Sequence, residues 1–208
     1  LYSRSFEMMV ELGSMPVMQI LSKATRIIAE GEVLQLSKVR DASTSEETYM
    51  DVIRGKTAML FEASSHSAAV LAGADAEQAE ALRVFGDHLG VAFQLMDDLL
   101  DYRGDAQAMG KNVGDDLAEG KPTLPLIHAM REGTPAQAEL VRKAIQQGGS
   151  QDLESIRAAV EAAGSLDYTA QLARHYAEKA IQCLSTLPAS TYRDALTELT
   201  RFAVARSI

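Results

Sequence analysis

Residues 86–102 read GDHLGVAFQLMDDLLDY, an apolar stretch that ends in three carboxylates. The spacing of its apolar residues predicts an amphipathic helix, and Asp75 with Gln78 has the spacing of a capping box at its start. Beside the carboxylates Asp97, Asp98 and Asp101 stand six large apolar residues: Phe93, Leu95, Met96, Leu99, Leu100 and Tyr102. Helix cores exclude charges and solvated faces rarely carry so many apolar side chains, so this stretch combines two chemical characters.

The rest of the chain has the same helical pattern. Period-two alternation is not convincing anywhere, and good helix formers dominate the composition. Thr134, Pro135 and Gln137 combine an N-cap, a proline in the first turn and a capping-box partner. We predict one all-α bundle, a single domain over residues 1–208, with helices near 3–35, 45–72, 76–102, 123–131, 135–148, 151–163, 165–186 and 190–206.

One segment breaks this pattern directly after the carboxylates. Residues 103–122 read RGDAQAMGKNVGDDLAEGKP and contain four glycines and no apolar stripe. Long loops inside compact domains are usually functional. Within this loop, Asp115, Asp116 and Glu119 form a second acidic group. This acidic group has a functional interpretation, in which it binds a metal or orients Lys111. In the alternative interpretation it is a solvated part of the surface.

Composition excludes several classes of protein. Of the 208 residues, 47% are apolar and 24% are charged, which is typical of a globular protein. The net charge of −9 argues against nucleic acid as a partner. The single cysteine, Cys183, forms no internal disulfide and favours a cytoplasmic location. No apolar run reaches the roughly 18–20 residues that cross a bilayer. Because the sequence begins in a helical pattern without Met, we expect further residues upstream.

The three carboxylates predict a metal site. On a helix, Asp97 and Asp101 lie one turn apart, and Asp98 lies one turn after Gln94. Hard oxygen ligands suit Mg²⁺, which proteins often hold with one or two carboxylates and the phosphates of a substrate. The alternative is a solvated end of an amphipathic helix. Negative charge at a helix C-terminus opposes the macrodipole, which favours the metal.

Basic residues in two other segments suggest an anionic ligand. Lys56, with Thr57 beside it, lies in the apolar helical segment VIRGKTAMLF. Lys111 and Lys121 each follow a glycine in the loop after the carboxylates. Ammonium groups and the Thr57 hydroxyl are candidate donors to a diphosphate. The alternative is that Lys56 extends to the surface and that the loop lysines are solvated. The four histidines lack HExxH or ExxH spacing, which argues against a histidine metal site.

Four segments together resemble a known family. They are AEGEVLQL at 29–36, YMDVIRGKTAMLFEAS at 49–64, GDHLGVAFQLMDDLLDY at 86–102 and GKNVGDDLAEGKPTLPLI at 110–127. The chain resembles the trans-isoprenyl (polyprenyl) diphosphate synthases, most of all the bacterial enzymes with octaprenyl products. The resemblance extends over the whole chain and implies an all-α bundle of the isoprenoid synthase type with a central apolar cavity.

The resemblance also implies a role for each candidate residue. Asp97, Asp98 and Asp101 match the second aspartate-rich motif, which holds Mg²⁺ on the allylic diphosphate. The diphosphate-binding positions of the family are matched by Lys56, Thr57, Gln94, Lys111 and Lys121, and Phe93 matches a residue that lines the hydrocarbon cavity. Of these residues, we assign catalytic roles to Lys56, Gln94, Asp97 and Lys111.

The function that follows from the resemblance is a prenyl transfer. Isopentenyl diphosphate is condensed with an allylic diphosphate, which gives a long all-trans polyprenyl diphosphate. The overall resemblance suggests an octaprenyl product, which would supply the side chain of a quinone such as ubiquinone. The family implies a homodimer, and the long apolar product suggests peripheral contact with a membrane. No basic amphipathic helix that would anchor such contact is evident in the sequence.

The sequence departs from the family in one respect. The first aspartate-rich motif and the segment that binds isopentenyl diphosphate are absent, so the chain resembles the C-terminal two-thirds of such an enzyme, with the first helices upstream of Leu1. We therefore expect no prenyl transfer by these residues alone. Two alternatives stay open. One is a non-catalytic, regulatory or truncated homologue, and the other is a terpene cyclase, although DDLLD differs from the second metal motif of cyclases.

Overall fold

The computed structural model describes residues 2–103, 114–148 and 153–205, and no strand occurs in these ranges. In chain order the helices are α1 (Tyr2–Leu12), α2 (Met15–Lys38), α3 (Glu46–Ile53), a π-helical segment (Arg54–Ala58), α4 (Met59–Leu71), α5 (Ala76–Arg103), α6 (Asp115–Ala118), α7 (Leu124–Glu132), α8 (Pro135–Gln147), α9 (Leu153–Ala162), α10 (Ser165–Cys183), a 3₁₀ turn (Leu184–Thr186) and α11 (Thr191–Ala205). The predicted all-α bundle is confirmed.

The helix starts follow the predicted capping residues. The backbone N–H of Gln78 donates to Asp75 at 2.8 Å, and both bonds of the capping box between Thr134 and Gln137 are present. The predicted helix over 3–35 was wrong in one point, because the structure divides it into α1 and α2. Gly13 has a φ of 68°, a left-handed conformation that ends a helix, and a proline occupies the first turn of α2.

α5 is the central helix, packed between α4 on one side and α10 on the other. Two groups of buried apolar residues surround it. The larger includes Val91, Leu95 and Leu99 of α5, and the smaller contains Phe85 and Leu89 of the same helix. Because both groups anchor α5 along its length, the carboxylates at its C-terminal end are held on a rigid element.

A network of polar side chains joins α3, α7 and α10, and we call it the rear network: Glu46, His128, Arg131, Ser165 and Tyr168. The Glu46 carboxylate accepts hydrogen bonds from Tyr168 Oη at 2.7 Å and from Arg131 Nη1 at 2.8 Å. The His128 ring stacks on Tyr168 at 4.3 Å, and its Nδ1 lies 3.0 Å from Ser165 Oγ. Burial and the nearby Arg131 guanidinium lower the pKa of His128. The rear network fixes the start of α3, which also carries residues of the candidate site.

Candidate functional site

A cavity of about 220 Å³ lies where the C-terminal halves of α2 and α5 meet α3 and the π-helical segment. It is of mixed polarity, with cations and carboxylates on its walls. The lining residues are Gln35, Lys38, Thr44, Tyr49, Val52, Ile53, Lys56, Thr57, Gln94, Asp97, Asp98, Asp116, Lys121, Pro122 and Thr123. Six residues predicted from sequence therefore line the same cavity: Lys56, Thr57, Gln94, Asp97, Asp98 and Lys121.

The local backbone at Lys56 is a wide turn that the sequence pattern did not predict. Residues Arg54–Ala58 form a π-helical segment inside the predicted helix over 45–72, a feature that often marks functional sites. α2 approaches this segment so closely that a Cβ on Gly31 would lie 2.6 Å from the backbone nitrogen of Lys56. Glycine at 31 thus permits the contact that sets Lys56 beside the end of α2.

The three carboxylates of DDLLD have different surroundings. Asp98 is only 2% exposed, and each of its oxygens accepts one hydrogen bond, from Tyr49 Oη at 2.5 Å and from Gln94 Nε2 at 2.7 Å. The Asp101 oxygens accept from the backbone N–H groups of Asp115 and Asp116 at 3.2 and 3.3 Å. Within the described ranges, Asp97 has no hydrogen bond or ion pair. Two carboxylates are held by the protein, and one is free to meet a ligand.

Negative charge is concentrated at this end of the cavity. Burial, together with the charge of Asp116, raises the pKa of Asp98 to about 8 and that of Asp101 to about 6. Asp97 adds to the shift of Asp98. A bound cation would offset this effect, because a positive charge nearby favours the ionised form of a carboxylate.

Each lysine of the cavity is paired with an acidic or amide side chain. Lys56 Nζ lies 2.9 Å from Glu32 Oε2 and donates to Gln35 Oε1 at 2.5 Å, and Lys38 lies 3.1 Å from Asp41. Lys121 contacts Glu119 at 2.7 Å and Asp116 at 3.1 Å. Burial disfavours the charged form of Lys121, but Glu119 and Asp116 outweigh it and raise its pKa. All three lysines are held along the cavity wall by these contacts.

Thr57, Gln94 and Phe93 have defined contacts. The Thr57 hydroxyl donates to Gln94 Oε1 at 2.9 Å, so its proton is directed to the amide and not into the cavity. Phe93 is not among the lining residues; its ring lies 5.4 Å from that of Phe61. A role for Phe93 in lining a hydrocarbon cavity stays a prediction.

The described ranges include Lys121 and the second acidic group but not Lys111. Lys111 lies outside the described residues, so its predicted catalytic and binding role stays a prediction. Of the second acidic group, Asp116 lines the cavity and bonds Lys121, whereas Glu119 is mostly exposed. Asp116 is therefore not simply solvated, whereas its roles as a metal ligand or as a partner of Lys111 stay predictions.

Sequence reasoning missed several lining residues, among them Gln35 and Tyr49. Both lie in segments that carry the family resemblance, at 29–36 and 49–64, and that was the available signal. Lys38, the last residue of α2, and Thr44, in the turn before α3, carry no sequence signal, because only the path of this turn brings them to the cavity.

The donor set fits a hard divalent cation that shares its coordination with a ligand. In the part of the chain that the structure describes, no group of three or more His, Cys, Asp or Glu side chains is close enough to form a complete metal site. Mg²⁺ does not need such a site, because water and phosphate oxygens usually complete its shell. The Asp97 carboxylate, which has no partner among the described residues, lies beside Asp98 and supplies oxygen ligands of the kind that such a cation prefers.

Comparison with known proteins agrees with this geometry. The model of the polyprenyl synthetase family matches residues 1–163. The chain is 52% identical to octaprenyl diphosphate synthase of Escherichia coli over 207 residues, or 99% of the chain and 64% of that protein. It is 48% identical to the geranyl-diphosphate-specific all-trans-nonaprenyl-diphosphate synthase of Rhodobacter capsulatus over 206 residues, or 99% of the chain and 63% of that protein.

A solved structure has the same fold. It is polyprenyl synthase from Caulobacter crescentus CB15, complexed with calcium and isoprenyl diphosphate. The TM-score is 0.93 at 47% identity, over 99% of this chain and 63% of that one. The chain therefore spans slightly less than two thirds of the length of these relatives.

Proposed function

The chain belongs to the polyprenyl synthetase family, and we propose that it forms the allylic diphosphate site of a polyprenyl diphosphate synthase. In the proposed reaction, isopentenyl diphosphate is condensed with an allylic diphosphate to a long-chain all-trans product. One observation carries the proposal: a single cavity holds the free Asp97 carboxylate and the Lys56 and Lys121 ammonium groups. A metal–diphosphate complex needs both kinds of group, carboxylates for the cation and ammonium groups for the phosphates.

The residues of the cavity divide the work by charge. Lys56 and Lys121 donate to the diphosphate oxygens and stabilise the negative charge that grows as the carbon–oxygen bond breaks. Asp97 and Asp98 would hold Mg²⁺ together with Asp101, which does not itself line the cavity but contacts the backbone of Asp116, and the bound cation would supply further positive charge to the leaving diphosphate. Gln94 and Thr57 orient one another at the cavity wall through their 2.9 Å hydrogen bond. Val52 and Ile53 add an apolar wall that limits the access of water.

Calorimetric titration of the chain with geranyl diphosphate, with and without Mg²⁺, tests this proposal. We expect binding that requires Mg²⁺ and that weakens at least about 100-fold in Asp97→Ala, because an uncompensated loss of a charged ligand costs several kcal/mol. Asp51→Asn is the matched control, since Asp51 is exposed on α3 and does not line the cavity. Binding without Mg²⁺, or unchanged binding in Asp97→Ala, would contradict the proposal and favour a non-catalytic homologue.

The finer parts of the proposal rest on family membership. They are Mg²⁺ as the physiological cation, an octaprenyl product for a quinone such as ubiquinone, a homodimer and a cytoplasmic location with peripheral membrane contact. No helix in the described ranges has the length and apolar character needed to cross a bilayer. Sedimentation equilibrium tests the homodimer, and a mass equal to one chain at micromolar concentration would contradict it.

A further inference from the structure

Tyr49 is a buried residue of the cavity wall that the proposed chemistry does not use. It lies on α3, its side chain is 4% exposed, and its hydroxyl donates to Asp98 Oδ2 at 2.5 Å. Asp98 lies 49 positions later in the chain, on α5. Both partners are buried, and hydrogen bonds to charged groups are about twice as strong as neutral ones. The bond therefore ties α3 to the end of α5 at the site.

This bond also fixes the direction of a longer chain of hydrogen bonds. With Oδ2 of Asp98 occupied by Tyr49, Oδ1 accepts from Gln94 Nε2 at 2.7 Å. The Gln94 amide must then present Oε1 to Thr57, whose hydroxyl donates to it at 2.9 Å. An ionised carboxylate only accepts hydrogen bonds, so in the ionised form of Asp98 that binds a cation the amide cannot reverse without losing the bond to Asp98. One phenol thus sets the orientation of Asp98, Gln94 and Thr57.

We propose that Tyr49 is a positioning residue of the diphosphate site, which acts through Asp98 on Gln94 and Thr57. This inference rests on the proposed function, because it concerns how the same cavity binds a metal–diphosphate complex. Carboxylates at metal sites are oriented by hydrogen bonds from neighbouring side chains, and removal of such a partner typically lowers metal affinity about 10–100-fold. Without Tyr49, one oxygen of Asp98 has no partner and the side chain rotates away from its position beside Gln94.

The chain contains a matched control for the loss of a buried phenol. Tyr102, one turn after Asp98 on α5, is 1% exposed, and within the described residues its hydroxyl bonds no carboxylate; its polar neighbour is the Thr123 hydroxyl. Tyr49→Phe and Tyr102→Phe remove the same atom from two buried tyrosines next to the same helix end. Only the first removes a hydrogen bond to a carboxylate of the cavity.

The test measures the affinity of the two variants for inorganic diphosphate with Mg²⁺, together with the midpoint of thermal unfolding. We expect about tenfold weaker Mg²⁺-dependent binding in Tyr49→Phe. For Tyr102→Phe we expect a change of less than about twofold, because its hydroxyl holds no carboxylate of the cavity and a hydrogen bond between neutral groups contributes little. Equal affinities for Tyr49→Phe and the wild type would overturn the inference.

A double-mutant cycle separates positioning from packing. If Tyr49 acts through Asp98 on Gln94, the effects of Tyr49→Phe and Gln94→Leu on diphosphate binding are less than additive. Additive effects would mean that Tyr49 acts by packing alone, and would overturn the inference.

If Tyr49→Phe does not fold, Tyr49→His, whose ring N–H can donate to Asp98, takes its place. Binding within about threefold of the wild type supports the inference, and a tenfold loss contradicts it.

The failure of the inference is distinct from the failure of the proposed function. A wild-type chain that does not bind diphosphate in the presence of Mg²⁺ contradicts the proposed function itself. A wild-type chain that binds diphosphate, with a Tyr49→Phe variant that binds equally well, contradicts only the role of Tyr49.

Discussion

The two polar networks that start on α3 differ in their balance of charge. In the rear network the Glu46 carboxylate meets the Arg131 guanidinium at 2.8 Å and the Tyr168 hydroxyl at 2.7 Å. In the cavity, one turn further along α3, Tyr49 leads to Asp98, whose hydrogen-bond partners are both neutral. Asp116 and Asp97 add negative charge there. The carboxylate of the rear network is balanced by a cation of the protein, whereas in the proposed function the carboxylates of the cavity are balanced by a bound cation.

The comparison predicts that substitutions in the cavity change binding, whereas substitutions in the rear network change stability. After the loss expected for Asp97→Ala, the largest expected effect is that of Lys56→Met. It removes an ammonium group that reaches the cavity, and charged hydrogen bonds contribute about 1.5–3 kcal/mol, so Mg²⁺-dependent diphosphate binding should weaken about 10–100-fold. Stability should change little, because the partner Glu32 is 47% exposed and can be solvated.

Lys143→Met is the control for that measurement. Lys143 is an exposed residue of α8 that pairs with Glu139 at 3.5 Å and does not line the cavity. Titration calorimetry on both variants should show the loss only for Lys56→Met. A similar loss in the two variants would mean that general electrostatic attraction, not the site, governs binding.

Glu46→Gln is expected to have the opposite profile. The substitution keeps the shape of the side chain but removes its charge from Arg131 and Tyr168, which should lower the free energy of unfolding by about 1 kcal/mol. Diphosphate binding should stay within about twofold, because Glu46 does not line the cavity. Denaturant unfolding measures the first effect, and Glu47→Gln, at an exposed position next to it, is the control. An unchanged stability would show that the rear network does not hold α3.

The smallest effects are on the pH dependence of stability, and the two networks should have opposite signs. The pKa of Asp98 is raised in the folded chain from 3.8 to about 8, so its contribution to stability is present below pH 3.8 and is lost as the pH rises through about 8. The pKa of His128 is lowered from 6.5, so its contribution is present above pH 6.5 and is lost as the pH falls below it.

Urea unfolding of the ligand-free chain between pH 5 and 8.5 measures both contributions. The stability of the wild type relative to Asp98→Asn should decrease with rising pH, and relative to His128→Gln it should increase. Each difference should change by less than about 1.4 kcal/mol per pH unit, the limit for a single proton. Differences with the same sign for both variants would contradict the comparison.

Local sequence patterns were sufficient to predict most of the helices, and with the family resemblance they indicated six of the residues that line the cavity. The periodicity of 86–102 and the capping residues Asp75 and Thr134 depend on neighbours within one or two turns, and the structure confirms them. The wide turn at Arg54–Ala58 was not predictable in this way. It depends on the close approach of α2 at Gly31, a residue distant in sequence.

The division of labour among the three aspartates also required the structure. In the sequence, Asp97, Asp98 and Asp101 are equivalent acidic residues on one helix end. They differ because Tyr49 on α3 reaches Asp98 and the backbone of α6 reaches Asp101. Helical periodicity shows which residues share a face, but not which residues of other helices meet that face.

The central claim is that the carboxylates clustered at the end of α5 repel one another until a cation, held together with diphosphate, compensates their charge. The most direct test is thermal unfolding of Asp97→Asn with and without Mg²⁺ and diphosphate. Without ligands the variant should be at least as stable as the wild type, because Asp97 has no partner in the described residues and its charge opposes that of Asp98. With Mg²⁺ and diphosphate the order should reverse, because only the wild type gains stability by binding. A variant that is less stable without ligands, or that is stabilised by them as much as the wild type, would contradict the claim.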